Sequence, residues 1–497
     1  MVRGFRNAAA WCELWQATDD SREQRLKLGR RRVRMRGGES LRVDAKPNSL
    51  PFESAACVNQ NEALKKTVDK RTTMRGRLLA AGTSLTLIFL VALGARLGFA
   101  WDQTRKIPRE VIGIASFAQE TGSIASALVR GKGFSSPFGR ETGPTAWLTP
   151  VYPLLVAGVF RVFGIFTNAS FFAVVFLNAL FSSAVCVAIF HAGKRIGGLG
   201  VASGAAWLWA LFPNAVMVPF EWVWDTSLSA LLGATILWAT LELAESQRLR
   251  NWCGYGLLWG FTLMTNPSLG SLLPFLLGWA AYHARRGNHL RIAKPALAAS
   301  GIAILCCVPW TVRNYVQFHR LVPLRSNFPL ELYIGNNGNY ATRQFVWPPK
   351  ITKEGELLRY FKVGETAFMD DEERKALEFM RAHPRAVLEL TWERLVTFWT
   401  GLPEAVQTFL STDELLVRVL LACNTVAAIG AVAGIVVLIQ RGSPYAFPAA
   451  AYPVVYPWLY YLTHPNLRYR HPIDPVVLLL LAVAVAGLIG VKEQTAS

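Results

Sequence analysis

Five short stretches of this 497-residue sequence place ionisable or amide side chains at the ends of apolar spans. They are the segment around Glu120, residues 221–225 (Glu-Trp-Val-Trp-Asp), Asn266-Pro267, residues 313–337 and residues 464–474. Between them they supply carboxylates, the groups that move protons, and arginines, the groups that bind oxyanions. Polar groups beside apolar spans are costly to place, so they mark a site more strongly than the same groups in a soluble loop. On the topology derived below all five fall on one side of a bilayer, which implies a single site. Other chemistries find little here. The seven cysteines (12, 57, 186, 253, 306, 307, 423) form no CxxC pair, and most sit in apolar blocks as small core residues. No GxxxxGKS phosphate loop and no GxGxxG turn after a strand is present.

The elements that must position these residues follow from the apolar blocks: 78–100, 171–189, 203–220, 228–243, 296–310, 415–439, 445–462 and 476–491 are each nearly free of charge. The chain is 52% hydrophobic and 17% charged, against about 25% charged in soluble domains. Roughly 20 apolar residues in a helix cross the hydrocarbon core, and outside closed barrels only helices can do so. The expected fold is therefore an all-α polytopic membrane protein of about 10–11 transmembrane helices, with a first loop and a larger later segment on the outer face.

The formal charge of +19 is distributed as a membrane protein distributes it. Residues 1–75 hold 17 Lys and Arg against 9 Asp and Glu, a net of +8. Much of the remaining excess lies in short segments between apolar blocks, at Lys194-Arg195, Arg248, Arg250, Arg285-Arg286, Arg291, Lys294 and Arg441. Such segments stay in the cytoplasm. No basic face interleaved with base-stacking aromatics appears, so nucleic acid is not an expected partner. The segment 1–75 lacks the apolar core of a secretory signal. It reads either as a disordered cytoplasmic tail touching anionic lipid or as untranslated sequence ahead of a start at Met74.

Basic loops inside give a domain over residues 76–492 with outer loops at 101–147, 312–413 and 464–475, both termini in the cytoplasm, in the cell's inner (plasma) membrane. Asn266-Pro267 reads as an outer turn between two short helices, with a simple packing kink as the plain alternative. Residues 148–166 are apolar but short, with two prolines near their start. If they crossed, every later loop would conflict with the basic segments, so they are read as a re-entrant or interfacial helix. Glu120 lies one turn before Ile124, on or beside the buried face of a helix that stops at Gly131. A solvated loop carboxylate is its plain alternative.

After that acidic helix come a Gly133-Phe134 turn and then Gly143-Pro144-Thr145-Ala146-Trp147-Leu148-Thr149-Pro150-Val151-Tyr152-Pro153, leading into a short apolar helix that ends at Phe163-Gly164. This order resembles the membrane glycosyltransferases of the GT-C superfamily, in particular the bacterial branch related to protein O-mannosyltransferases and to the transferase that adds aminoarabinose to lipid A. The resemblance spans roughly residues 78–475. It implies that Glu120 stands where the family's catalytic base stands, although many members carry Asp there and this chain has Gln119-Glu120. It also implies that Asp225 is a second acidic position, and that Arg313, Arg325, Asn327, Glu331, Asn336, Arg468, Arg470 and His471 are contacts to donor phosphate or sugar.

The implied activity is transfer of a sugar from a polyprenyl-phosphate donor to an acceptor hydroxyl on the outer, periplasmic face. Partners would be that donor, membrane lipid and an acceptor that is a glycan, a lipid or a protein. No cofactor is implied with certainty, and nothing in the sequence supports a divalent metal. Several plain readings stand beside this one. Arg468 and Arg470 are also placed to snorkel at a helix end, and Trp222, Trp224, Trp310 and Trp399 to form an interfacial belt. The alternative function is a polytopic transporter or lipid-linked sugar flippase. It expects matching broken helices in two halves, and the second half shows no counterpart to Asn266-Pro267.

Overall fold

The computed structural model describes residues 82–106, 117–221, 223–285, 289–338, 354–401 and 414–489. The basic segment 1–75 and Trp222 lie outside the described residues. By contact the chain divides into two units, Met1–Ala81 with Thr412–Arg418, and Gly82–Ser411 with Val419–Ser497. Every side chain discussed below belongs to the second.

In chain order the helices are α1 (Leu85–Lys106), α2 (Gln119–Val129), α3 (Val151–Phe163), α4 (Asn168–Leu211), α5 (Pro213–Glu221), α6 (Thr226–Leu243), α7 (Leu249–Leu263), α8 (Leu273–Ala284) and α9 (His289–Phe318). They continue as α10 (Phe328–Gly335), α11 (Glu354–Val363), α12 (Glu365–Ala382), α13 (Pro384–Thr400), α14 (Leu415–Gln440), α15 (Ala446–Val455), α16 (Trp458–Leu462), α17 (Leu467–Arg470) and α18 (Asp474–Leu488). A 3₁₀ turn, Pro267–Leu272, separates α7 from α8. Among the described residues there is no strand, only an isolated bridge between Ser135 and Pro144.

The fold is an all-α polytopic membrane fold. Hydrocarbon offers backbone amides no partner, so each span must satisfy its own. Among the described residues, five helices are long and apolar enough to cross: α1, α4, α6, Ala293–Phe318 of α9, and α14. Single helices of that length are fewer than the 10–11 spans expected, because proline and glycine divide the other apolar blocks. Asn266-Pro267 parts α7 from α8, Pro457 begins α16 just after α15 ends, and α3 and α18 stop after 13 and 15 residues. The first block is also shifted. Its helix runs on to Lys106 instead of ending at residue 100, with Lys106 paired to Asp102 at 2.6 Å one turn back.

The two blocks 171–189 and 203–220 fold against each other, with the Lys194-Arg195 pair just before the turn. Backbone angles at Gly197 and Gly198 are non-helical, and Gly198 has φ 75, which glycine adopts without strain. The chain reverses there. The Trp209 Nε1–H donates to the Ser182 carbonyl at 2.6 Å, and a Cβ on Gly193 would lie 2.9 Å from the Ala202 Cα. Pro213 then starts α5 and has no N–H to give the Trp209 carbonyl. Buried Arg96 of α1 donates instead, to Trp209 O at 3.2 Å and Ala210 O at 3.0 Å, and its Nε donates to Ser182 Oγ at 2.8 Å. One guanidinium thus joins α1 to both arms of the hairpin.

Helix α3 rises roughly 20 Å at 1.5 Å per residue, short of a core roughly 30 Å thick. It is seated beside the hairpin by an aromatic cluster in which the Phe117 ring meets Phe160, Phe166 and Phe171 edge to face at 4.9, 5.6 and 5.8 Å. Tyr152 adds a hydrogen bond to Asn178 Oδ1 at 2.9 Å. The same cluster holds α2: a Cβ on Gly122 would lie 2.7 Å from the Phe117 Cβ.

Candidate active site

All five polar stretches meet in one cavity of about 750 Å³, whose lining includes Glu120, Asp225, Asn266, Arg325, Asn327, Glu331 and Arg468. Each residue arrives by a local device. Glu120 sits in the first turn of α2, whose Thr121-to-Ala127 stretch is buried, so the helix that carries it cannot turn away. Asp225 precedes α6 and its Oδ2 accepts from Ser229 Oγ at 2.9 Å; that hydroxyl in turn accepts from Asn266 Nδ2 at 3.1 Å. Asn266 also caps the 3₁₀ turn, its Oδ1 accepting from Ser268 N at 3.1 Å. The Asn-Pro break therefore does more than bend a helix pair, since it delivers an amide that fixes Asp225.

Arg325 is held from the other side, its Nε donating to the Trp147 carbonyl at 3.1 Å. The loop that carries it is locked by Glu365, a buried carboxylate that accepts from Ala146 N at 2.7 Å, Ser326 Oγ at 2.6 Å, Tyr360 OH at 2.6 Å and Thr145 Oγ1 at 2.5 Å. Arg468 stands on α17, which Asn466 caps through a bond from Arg468 N at 3.1 Å. Its guanidinium lies 4.0 Å from the Trp224 ring centre and 4.9 Å from that of Tyr469. A planar, delocalised cation placed over two rings is an arrangement that lysine's compact ammonium does not reproduce. Glu331 accepts from Asn327 Nδ2 at 3.0 Å, and its Oε2 lies 2.7 Å from His464 Nε2.

These surroundings set the carboxylates apart. Burial raises Glu120 above the ordinary carboxylate range, against its own backbone hydrogen bond and the charges of Arg468 and Arg325. Asp225 is likewise raised by burial, against Arg325, Ser229 and Arg468. Burial acts upward on Glu331 too, but the His464 hydrogen bond and charge, with Arg325 and Arg468, bring it below the ordinary value. Two carboxylates poised to take protons thus share a cavity with one that stays ionised, the pattern in which acid and base roles separate. Arg468 is raised although burial opposes it, through Tyr469 and the charges of Glu120 and Glu331.

Four residues that the resemblance placed at the site lie elsewhere, and each has a structural partner that explains it. Arg313 donates to the carbonyls of Thr145 and Phe134, both at 2.7 Å, and so staples the loop behind the cavity. Asn336 ends α10, donating to Leu332 O at 2.8 Å and Leu462 O at 2.9 Å while accepting from Arg394 at 3.2 Å. Arg470 points into the bundle, donating to Asp474 Oδ1 and Asn424 Oδ1, both at 2.6 Å. His471 is buried against Trp209, ring centres 5.0 Å apart.

The family model described as dolichyl-phosphate-mannose-protein mannosyltransferase matches residues 147–312. The glycosyltransferase resemblance read from the sequence is borne out there, over a stretch that runs from Trp147 through Asp225 and Asn266. Among solved structures, the apo oligosaccharyltransferase of Archaeoglobus fulgidus is similar at 14% identity, covering 82% of this chain and 50% of its own, with a TM-score of 0.49. The same organism's oligosaccharyltransferase AglB, in complex with an inhibitory peptide and a dolichol-phosphate, is similar at 12% identity, with coverage of 82% and 50% and a TM-score of 0.47. The chain spans about half the length of these structures. No curated protein matches the sequence significantly.

Sequence reasoning missed Glu365, Tyr456, Tyr460 and the whole contribution of α11 and α12, which line the cavity with Glu356, Arg359, Glu372 and Lys375. Those helices are amphipathic and charged, and nothing in their spacing separates a cavity wall from a solvated surface.

Proposed function

We propose that this chain is a membrane glycosyltransferase that moves a sugar from a polyprenyl-phosphate donor to an acceptor hydroxyl on the outer face of the membrane. The observation that carries the reading is the meeting of Glu120, Asp225, Arg325 and Arg468, from four segments distant in sequence, in one cavity beside apolar helices. The matched family is described by a dolichyl-phosphate-linked mannose, which supports a polyprenyl-phosphate donor here.

The chemistry follows from the groups present. Glu120, as carboxylate, takes the proton of the acceptor hydroxyl while that oxygen attacks the anomeric carbon. The bond from the anomeric carbon to the phosphate oxygen breaks, and its electron pair stays on the departing polyprenyl phosphate. Arg325 and Arg468 face that charge, where fixed cations stabilise it without reorganisation. Asp225, held by Ser229, orients the sugar, and Glu331 keeps Arg468 in place. The lipid chain remains among the helices and only its headgroup enters the cavity.

The test uses the full chain in vesicles with a panel of polyprenyl-phosphate hexoses and pentoses as donors, each offered together with glycan, lipid and peptide hydroxyl acceptors. Release of polyprenyl phosphate should occur with at least one of them and should fall in Arg468→Gln. No release from any donor overturns the activity. Orientation is tested separately in a chain freed of native cysteines: Glu141→Cys, at a position whose side chain is 77% exposed, should react with an impermeant maleimide from outside. Labelling only after lysis reverses the assigned face.

A further inference from the structure

The cavity extends beyond the groups used by the donor. Its far wall is built by α11 and α12 with Tyr333 of α10, and its charges are already paired with one another. The Arg359 guanidinium donates to Glu356 Oε2 at 3.1 Å and to Glu372 Oε1 at 3.0 Å, and also pairs with Asp371. Lys375 donates to Glu372 Oε1 at 3.1 Å and lies 2.8 Å from Asp371 Oδ2. The two cations also sit over rings, Arg359 4.8 Å from the Phe368 centre and Lys375 5.7 Å from that of Tyr333. A guanidinium has five N–H groups and an ammonium three. The pairings named use three of the first and two of the second.

This wall differs in kind from the donor end. Two lining cations face two lining carboxylates, Glu356 and Glu372, and Asp371 behind them, so the wall has no surplus positive charge to offer an anion. A phosphate or carboxylate ligand would have to pull Arg359 or Lys375 away from carboxylates that would then be left uncompensated in a nearly closed place; the Glu372 side chain is only 3% exposed. A hydroxyl does not force that exchange, since it donates to a carboxylate oxygen and accepts from a spare N–H at once. Beside these groups stand Phe138, Trp147 and Phe368, rings that offer apolar faces to the C–H side of a sugar.

We propose that α11 and α12 form the acceptor subsite, and that the acceptor is the end of an uncharged, hydroxyl-rich glycan. The inference rests on the glycosyltransferase reading above. In the transfer, the acceptor O–H proton passes to Glu120, the new bond joins the acceptor oxygen to the anomeric carbon, and polyprenyl phosphate leaves with the electron pair of the broken bond.

The test is direct binding to the purified full chain in detergent, by saturation-transfer NMR, with four probes: polyprenyl phosphate, neutral manno- and gluco-hexaoses, a Ser/Thr-rich hexapeptide, and mannose 6-phosphate. The hexaoses should bind and the peptide and phosphosugar should not. Lys375→Met and Glu372→Gln should each weaken hexaose binding by about tenfold or more, the loss of one charged hydrogen bond, and Lys375→Arg should recover most of it. Polyprenyl phosphate binding in the same variants reports that they are folded. Preference for the peptide or the phosphosugar, no hexaose binding, or hexaose binding indifferent to both substitutions overturns the acceptor assignment. Failure of the unsubstituted chain to bind polyprenyl phosphate instead overturns the donor reading beneath it.

Discussion

Arg468 and Arg470 are two residues apart on the same short helix, and they do opposite things. Arg468 lies over Trp224 in the cavity wall, half-buried, where a ligand can reach it. Arg470 is fully buried, paired to Asp474 at 2.6 Å and bonded to Asn424. A step of two residues around a helix turns a side chain by roughly 200°, so one faces the site and the other the bundle. The same division separates Arg325, which enters the cavity, from Arg313, which holds the loop behind it. An arginine near a site is therefore assigned by what its guanidinium already holds.

The largest expected effect is at Arg470. Arg470→Ala leaves Asp474 buried without its cation, which should cost about 3–5 kcal/mol of stability. Thermal unfolding in detergent should show a large drop, while the surviving folded fraction binds polyprenyl phosphate normally. Normal unfolding with lost binding would reverse the roles of the two arginines. Next in size is Arg468→Gln. Loss of a charged hydrogen bond to phosphate should weaken donor binding by about 1.5–3 kcal/mol with little change in unfolding, and Arg468→Lys should restore only part of it. Trp224→Leu should have the smallest effect, about 0.5–2 kcal/mol in donor affinity through the lost cation–π contact. An effect as large as that of Arg468→Gln would mean that Trp224 itself stacks on the sugar.

The buried carboxylates are separated by their pH dependence. Burial raises Glu120 above the usual carboxylate range, so it stays protonated at a pH where an ordinary glutamate is ionised. A base must be deprotonated to act, so kcat/KM should rise with pH through an acid limb lying above the ordinary glutamate value. Asp225 is raised as well, and by the same cause. The limb should persist in Asp225→Asn; its disappearance there would make Asp225 the base.

Much of the fold was legible because hydrocarbon imposes simple rules. Apolar blocks became helices, the Lys194-Arg195 pair marked a hairpin turn that Gly197 and Gly198 make, and Asn266-Pro267 marked a break. The convergence of five polar stretches was legible too, because their residues are too costly at span ends to be idle. Which member of a polar motif faces the cavity was not, since Arg468 and Arg470 differ only by helical phase. Glu365 was invisible for another reason. Its four donors come from Thr145, Ala146, Ser326 and Tyr360, and all but Tyr360 are distant in sequence. The charged helices α11 and α12 carry no pattern that distinguishes a cavity wall from a solvated face.

In the proposed reaction the Glu120 carboxylate takes the acceptor proton. Glu120→Gln keeps the side chain's shape and removes its basicity. Single-turnover transfer from preloaded polyprenyl-phosphate sugar, compared with the unsubstituted chain at saturating donor, measures that step alone. The rate should be lower by roughly 10²–10⁴ with donor affinity nearly unchanged. Transfer by Glu120→Gln at the unsubstituted rate would mean that another group takes the proton.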